Sequence, residues 1–118
     1  MLIISRLEKS CLRMENNQAI LNFLGIAKRA NKIVSGENTL LSEIRNGKVH
    51  FLFIASDTGP STSKKFLDKS NYYHVSVNTM YTKEVLSNAI GMKRTIIGIK
   101  DQGISKKMIE LTNRIKGE

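Results

Sequence analysis

Two short apolar runs constrain the fold of this chain more than any other feature, because neither run alternates with polar residues. They are FLFIA at residues 51–55 and TIIGI at residues 95–99. A continuous apolar run of this length is typical of a strand that is covered on both faces. Stretches with helical periodicity lie before, between and after the two runs. This order predicts an α/β fold, specifically a three-layer α/β/α sandwich with a small mixed central sheet.

Helices are predicted where apolar residues recur every three or four positions. The first covers residues 17–30, with Ala30 on its apolar face, and the second begins at Ser35 as the N-cap and ends at Gly47. A third follows the Gly-Pro turn at residues 59–60, a short fourth runs from Thr82 to Gly91, and a fifth ends the chain. Residues 32–34 are predicted to be extended, and the alternating segment YYHVSV at residues 72–77 is predicted as a strand.

The length of the chain, 118 residues, suits one domain with a single core. Helical periodicity begins just after Met14, whereas the segment before it has none. We therefore predict a single folded domain at residues 14–118. We interpret residues 1–13 as a disordered or non-native N-terminal extension.

Charge is the most informative bulk property of the sequence. Lys and Arg number 19 against 10 Asp and Glu, which gives a formal net charge of +9. A domain this basic most often binds a polyanion, because phosphates neutralised by Lys and Arg release their counterions. The alternative is a solvated surface that only keeps the protein soluble. Neither interpretation specifies which nucleic acid is bound.

Other classes of site find little support in the sequence. Cys11 is the only cysteine, so a disulfide within the chain is excluded, and His50 and His74 have no partners at metal-ligand spacing. The segment SDTGPSTSKK lacks the glycine directly before Lys that a P-loop requires. We find no catalytic group of residues and predict no enzyme, no metal and no cofactor. The apolar N-terminal run is too short for a signal peptide or a membrane span, so we expect a cytoplasmic protein.

The segment SGENT at residues 35–39 raises the sharpest functional hypothesis. A helix N-terminus carries free amides and a partial positive charge, which attract a phosphate or an electron-rich base edge. Gly36 has no side chain to block close approach, and Asn38 offers a donor and an acceptor for a base edge. An ordinary capped helix, with Gly36 in a turn and Asn38 in solvent, is an equally good interpretation of these five residues alone.

Two longer stretches resemble one known family. LGIAKRANKIVSGENTLLSEIRNGKVHFLFIASDTGP, followed downstream by YTKEVLSNAIGMKRTIIGI, is similar to the L-seven-Ae family of kink-turn RNA-binding ribosomal proteins, and within it to the bacterial YlxQ-like branch. The resemblance extends from about residue 17 to residue 115. It implies the three-layer α/β/α fold and a cytoplasmic RNA-binding role without catalysis. The implied partner is structured RNA, with ribosomal RNA and the ribosome as candidates, and we expect a monomer when the protein is free.

The resemblance also implies a binding site. In the family, a helix opening with a Gly-x-Asn-Glu-like sequence enters the widened major groove of a kinked RNA and contacts the guanines of sheared G·A pairs. Gly36 and Asn38 match this pattern, whereas Thr39 and Ser42 stand where archaeal members carry Glu and Lys. A second contact loop follows the short helix before the last strand. Together with the flanking cations, the predicted RNA-binding residues are Lys28, Arg29, Lys32, Ser35, Gly36, Glu37, Asn38, Thr39, Ser42, Ile90, Gly91, Met92, Lys93 and Arg94.

Gly91 also has a plain explanation as a helix C-cap. Two alternative functions stay open on sequence alone. The first is a protein-interaction adaptor on the ribosome or in an RNA-processing complex, which would not need the chemistry of Asn38. The fold also looks similar to the substrate-recognition domain of some RNA methyltransferases. A freestanding relative of that domain is therefore the other candidate.

Overall fold

The computed structural model describes residues 17–116, with side chains described through residue 115. The predicted N-terminal extension, residues 1–13, lies outside the described residues. Helix α1 covers residues 17–29, and the elements that follow are β1 (Ile33–Val34), α2 (Glu37–Arg45), β2 (Phe51–Ile54), α3 (Pro60–Tyr72), β3 (Ser76–Asn78), α4 (Lys83–Ile90), β4 (Ile96–Ile99) and α5 (Gln102–Lys116).

The four described strands form one mixed sheet in the order β1-β4-β2-β3. Strand β4 is antiparallel to both of its neighbours, and Ile99 pairs with Ile33 of β1 and with Phe51 of β2. Strand β3 runs parallel to β2, with Phe51 opposite Ser76. Because β1 and β4 are antiparallel, the last residue of β1 and the first residue of β4 lie toward the same end of the paired strands. The candidate site lies at that end of the strands.

The central strand β2 is buried on both faces, as its unbroken apolar run predicts. Phe51 and Phe53 face a core shared with α1, α4 and α5, whereas Leu52 and Ile54 face a second core shared with α2 and α3. Alternate residues of one strand therefore supply two separate cores. The prediction of a three-layer α/β/α sandwich around a mixed sheet is confirmed.

Three predicted helix ends are also confirmed. Thr82 caps α4, since its hydroxyl accepts a hydrogen bond from the Val85 amide, and Gly91 ends that helix with a φ of 76°. Gly47, with a φ of 71°, follows the end of α2. The Lys48 amide there donates to the Glu43 carbonyl over 2.9 Å, which completes a Schellman motif.

Three local predictions are wrong. Ser35 does not cap α2, because the N-cap is Gly36 and the Ser35 hydroxyl is engaged elsewhere. Ala30 is exposed in the turn after α1 rather than part of the core face. Most of the segment at residues 72–77 is not a strand, because α3 continues through Tyr72 and β3 begins only at Ser76. Packing of α3 against the sheet through Phe66 overrides the local alternation at the end of the helix.

Candidate nucleic-acid interface

The start of α2 is exposed and lacks a side-chain cap. Gly36 is the N-cap, and no side chain from that position accepts a bond from the first-turn amides. Glu37, Asn38 and Thr39 form the first turn, and all three are exposed. The amides of a first helical turn have no acceptor within the helix, so this turn presents donors and a partial positive charge to solvent.

Nothing within the described chain requires a glycine at position 36. Its φ of −90° and ψ of 136° are ordinary extended values that any residue adopts. A Cβ added there would meet only the Thr39 side chain, at 3.7 and 3.9 Å, which is ordinary van der Waals contact. Gly98 is different, since a Cβ there would clash with Leu40 Cδ1. No steric or conformational demand of the described chain therefore accounts for Gly36, and the helix start is left open.

The loop after α4 supplies the second part of the site. Gly91 turns the chain in the left-handed region, and Lys93 and Arg94 that follow are exposed. Ile90 is only 6% exposed and packs in the core, and Met92 is half-buried against the same core. The predicted surface role thus falls to the glycine and the two cations, whereas Ile90 and Met92 anchor the loop.

Arg94 joins this loop to the start of α2. Its Nε donates a hydrogen bond to the Ser35 hydroxyl over 3.1 Å, a contact between residues 59 positions apart in the chain. The backbone amide of Arg94 donates to the Ser87 hydroxyl over 3.1 Å, and its Nη1 donates to the Lys93 carbonyl over 2.8 Å. Sequence reasoning missed Ser87, because a serine in a short helix carries no signal of this role. We call residues 35–39 together with residues 91–94 the candidate interface.

Two further predicted cations lie beside the candidate interface. Lys28 and Arg29, in the last turn of α1, line a groove between α1 and α4 that ends at Gly91. The two helices approach closely at Gly25, where a Cβ would lie 3.2 Å from the carbonyl oxygen of Ala89. Ser42, one turn after Asn38, is exposed on the same outer face of α2.

Lys32 is the one predicted cation that the structure separates from the others. It precedes β1, whereas Ser35 follows that strand, so the two residues lie at opposite ends of β1. The Lys32 carbonyl accepts a hydrogen bond from the Lys100 amide over 2.8 Å, at the end of β4 that is far from Arg94. The side chain of Lys32 therefore belongs to a different surface.

Other features of the described chain do not form a chemical site. Asp57 uses Oδ1 to accept the Lys83 amide over 2.9 Å at the start of α4. Burial raises the pKa of Tyr81 to about 12, and its hydroxyl donates to Asn17 Oδ1 over 2.8 Å, which connects the segment before α4 to α1. Within residues 17–115 there is no group of three or more His, Cys, Asp or Glu placed to hold a metal ion. None of the described helices is both long and apolar enough to cross a membrane.

Two curated bacterial proteins are similar to this chain along most of its length. The curated RNA-binding protein YlxQ of Enterococcus faecium is 38% identical over 96 residues, which cover 81% of this chain and 93% of the relative. The protein of the same name from Bacillus subtilis (strain 168) is 39% identical over 89 residues, covering 75% of this chain and 89% of the relative. Each relative therefore matches along most of its own length.

Solved structures show the same fold. A Bacillus halodurans protein of unknown function superposes with a TM-score of 0.77 at 37% identity, covering 80% of this chain and 96% of that one. The Giardia lamblia 15.5kD RNA binding protein superposes with a TM-score of 0.72 over 87% of this chain and 89% of that one. At 18% identity, this second likeness concerns the fold alone. The family model described as Ribosomal protein L7Ae/L30e/S12e/Gadd45 matches residues 18–109, and this chain belongs to that family.

Proposed function

We propose that this protein is a non-catalytic RNA-binding protein that recognises kink-turn or similarly bent RNA through the candidate interface. The bacterial relatives carry the name RNA-binding protein, and a net charge of +9 suits a polyanionic partner. Recognition would combine two kinds of contact. Phosphates would be held by cations, and a base edge would be read by an amide side chain.

The open start of α2 is the observation that carries the proposal. Gly36 meets no steric or conformational demand of the described chain, and it lacks a capping side chain that would stabilise the helix. A glycine is expected where the protein backbone must come close to a ligand. The exposed amide of Asn38, two residues further on, can then offer a donor and an acceptor to a base edge.

The bond between Arg94 and Ser35 supports a single site rather than two independent loops. It joins the positive loop after α4 to the segment before α2, which supports the proposal that Lys93 and the first turn of α2 would contact one ligand. Lys28 and Arg29 extend the positive surface along α1. A bent RNA presents closely spaced phosphates from two directions, which suits cations on both sides of a helix N-terminus.

The finer identity of the partner is part of the same proposal. Ribosomal RNA is the structured RNA that the family points to, and association with the ribosome would follow from binding it. We further propose that the protein acts in the cytoplasm and is a monomer when free. A protein-interaction adaptor, or a freestanding relative of an RNA-methyltransferase recognition domain, is the competing interpretation.

A titration with three RNAs tests the proposal. The protein is titrated against a kink-turn RNA, the same RNA with its sheared G·A pairs replaced by Watson–Crick pairs, and a plain duplex of equal length. We expect the kink-turn RNA to bind most tightly. If about four to six phosphates are neutralised, log K should fall against log salt with a slope of roughly three to five. Equal affinity for all three RNAs would remove kink-turn recognition, and no binding would favour the adaptor.

Two variants separate base reading from phosphate binding. Asn38→Ala should weaken the binding free energy for the kink-turn RNA by about 1–3 kcal/mol and leave that for the duplex almost unchanged, by analogy with the loss of a bidentate base contact. Lys93→Ala is the matched control in the neighbouring loop. It should weaken both RNAs alike and lower the salt slope by about one. If Asn38→Ala weakens both RNAs equally, or neither, α2 begins with an ordinary exposed turn.

A further inference from the structure

A second group of basic residues lies at the other end of strands β1 and β4, away from the loop that carries Arg94. Ile33 of β1 pairs with Ile99 of β4, so Lys32 and Lys100 are cross-strand neighbours one position beyond that pair. The Lys100 amide donates to the Lys32 carbonyl over 2.8 Å, which extends the ladder to this point. Opposed residues of an antiparallel pair lie on one face, with Cβ atoms about 5 Å apart. The sheet register therefore places two lysines side by side.

Two neighbouring loops add basic and polar groups to the same place. The Schellman turn after α2 presents Lys48, and the backbone amide of His50 donates to the Ile99 carbonyl over 2.9 Å. Asn31, held with a φ of 59°, and Gln102 at the start of α5 contribute side-chain amides. We call the hollow between them the basic hollow, lined by Asn31, Lys32, Lys48, His50, Lys100 and Gln102.

The charge of the basic hollow is not balanced within the described chain. Lys32, Lys48 and Lys100 are exposed, and among residues 17–115 no carboxylate lies within 4 Å of their ammonium groups. Asp101 also lines the hollow, where its Oδ2 accepts the Ile104 amide over 2.8 Å at the start of α5. This one carboxylate offsets only part of the charge of the three lysines. Like charges directly opposed across strands destabilise a sheet. A bound polyanion would neutralise these lysines and offset their mutual repulsion.

We propose that the basic hollow binds the phosphate backbone of a second RNA segment, so that the protein can bridge two segments. Its lining is polar and cationic, which suits phosphates better than an apolar ligand. Arg94 precedes β4 and Lys100 follows it, so the two residues lie at opposite ends of that strand, at most about 20 Å apart. Lys32 is nearer to the candidate interface, because only the two residues of β1 separate it from Ser35. Lys48 and Lys100 therefore define the part of the hollow that a second RNA segment would occupy while the candidate interface holds the first. The identity of the polyanion as RNA rests on the proposed function.

The test adds a second RNA to a preformed complex. Protein saturated with unlabelled kink-turn RNA is titrated with a fluorescent single-stranded oligouridine, and anisotropy is read at several salt concentrations. The test variant is Lys48→Ala/Lys100→Ala. The control is Lys107→Ala/Arg114→Ala, which removes equal charge from exposed residues that pair with Glu110 on α5. A parallel series replaces chloride by inorganic phosphate at constant ionic strength.

We expect the wild-type complex and the control to bind the oligouridine, and the test variant to bind it more weakly. Two lost phosphate contacts to a single strand should lower the salt slope by about 1.4. The proposal is overturned if the wild-type complex does not bind oligouridine, or if both double variants lose affinity equally. Displacement by millimolar inorganic phosphate would also overturn it, because the hollow would then be a site for a free anion.

Failure of the proposed function would look different. If the wild-type protein shows no kink-turn preference, the oligouridine titration is repeated on the free protein, with Asn38→Ala as a third variant. Weakening by Lys48→Ala/Lys100→Ala but not by Asn38→Ala keeps the basic hollow as the binding site. The reverse pattern rejects the basic hollow.

Discussion

Substitution of Gly36 should separate helix stability from RNA binding. Gly36→Ser adds a hydroxyl at the N-cap, where the extended backbone matches that of Thr82, whose hydroxyl accepts an amide of the first turn of α4. The new Cβ would lie 3.7 Å from Thr39 Oγ1, so no strain opposes it. Serine stabilises a helix as its N-cap by a few tenths of a kcal/mol more than glycine does, so this variant should raise Tm by about 1 °C.

Gly36→Ala is the matched comparison because it adds the same Cβ without a capping group. Alanine is a poor N-cap, so the free energy of unfolding of this variant should fall by about 0.5–1 kcal/mol and its Tm by about 2–4 °C. Both variants place a side chain where RNA must approach. We therefore expect each to weaken kink-turn RNA by about 1–3 kcal/mol, the range of one lost base contact.

The assay combines thermal unfolding with an RNA titration for the wild type and the two variants. For Gly36→Ser the two measurements should differ in direction. Its Tm should equal or exceed that of the wild type, whereas its affinity for the kink-turn RNA should be lower. A Gly36→Ser protein that keeps full affinity for kink-turn RNA would refute the argument that the helix start is open for a ligand. A loss of affinity confined to Gly36→Ala would point to helix fraying instead.

Three further substitutions test other parts of the structure. Arg94→Lys keeps the charge but loses the geometry that joins Ser35 to the loop, so kink-turn affinity should fall by about 0.5–1.5 kcal/mol with an unchanged salt slope. Unchanged affinity for the kink-turn RNA would instead mean that Arg94 acts only through its charge, which lysine retains. Gly98→Ala forces a Cβ against Leu40 Cδ1 and should lower the free energy of unfolding by about 1–3 kcal/mol, measured by chemical denaturation. An unchanged denaturation midpoint would show that the core there is loosely packed. Tyr81→Phe removes the hydrogen bond to Asn17 and should cost about 1 kcal/mol at neutral pH. Because burial raises the pKa of Tyr81 from 10.0 to about 12, the stability gained from its neutral phenol is complete below pH 10 and is lost as the pH rises through 12. The difference in stability between the wild type and Tyr81→Phe should therefore shrink over that range, and a constant difference would contradict it.

Local patterns in the sequence predicted most of the secondary structure and the fold class. The apolar runs of β2 and β4 are buried strands, and Thr82, Gly91 and Gly47 end or begin helices where their chemistry predicts. Each of these features depends on residues within one helical turn or one strand. Burial period and capping chemistry act over that range, and the sequence displays them directly.

Local reasoning was wrong where two structures compete for the same segment. The alternating residues 72–77 suit a strand, but most of them end α3 or form a turn, because the apolar residues earlier in α3 pack on the sheet and extend the helix. Ser35 is a good N-cap by composition, but Gly36 takes that position and Ser35 binds Arg94 instead. A residue 59 positions away decided the role of that hydroxyl.

The composition of the candidate site was thus predictable, but its assembly was not. The sequence by itself determined the excess of cations, the glycine near the start of α2 and the glycine that ends α4. Only the tertiary structure decided that Arg94 meets Ser35 and that Lys32 turns away to lie beside Lys100. The physical reason is the strand order, since placing β4 between β1 and β2 joins segments more than 60 residues apart. Pairing at that distance depends on burial of the whole sheet, which no local pattern records.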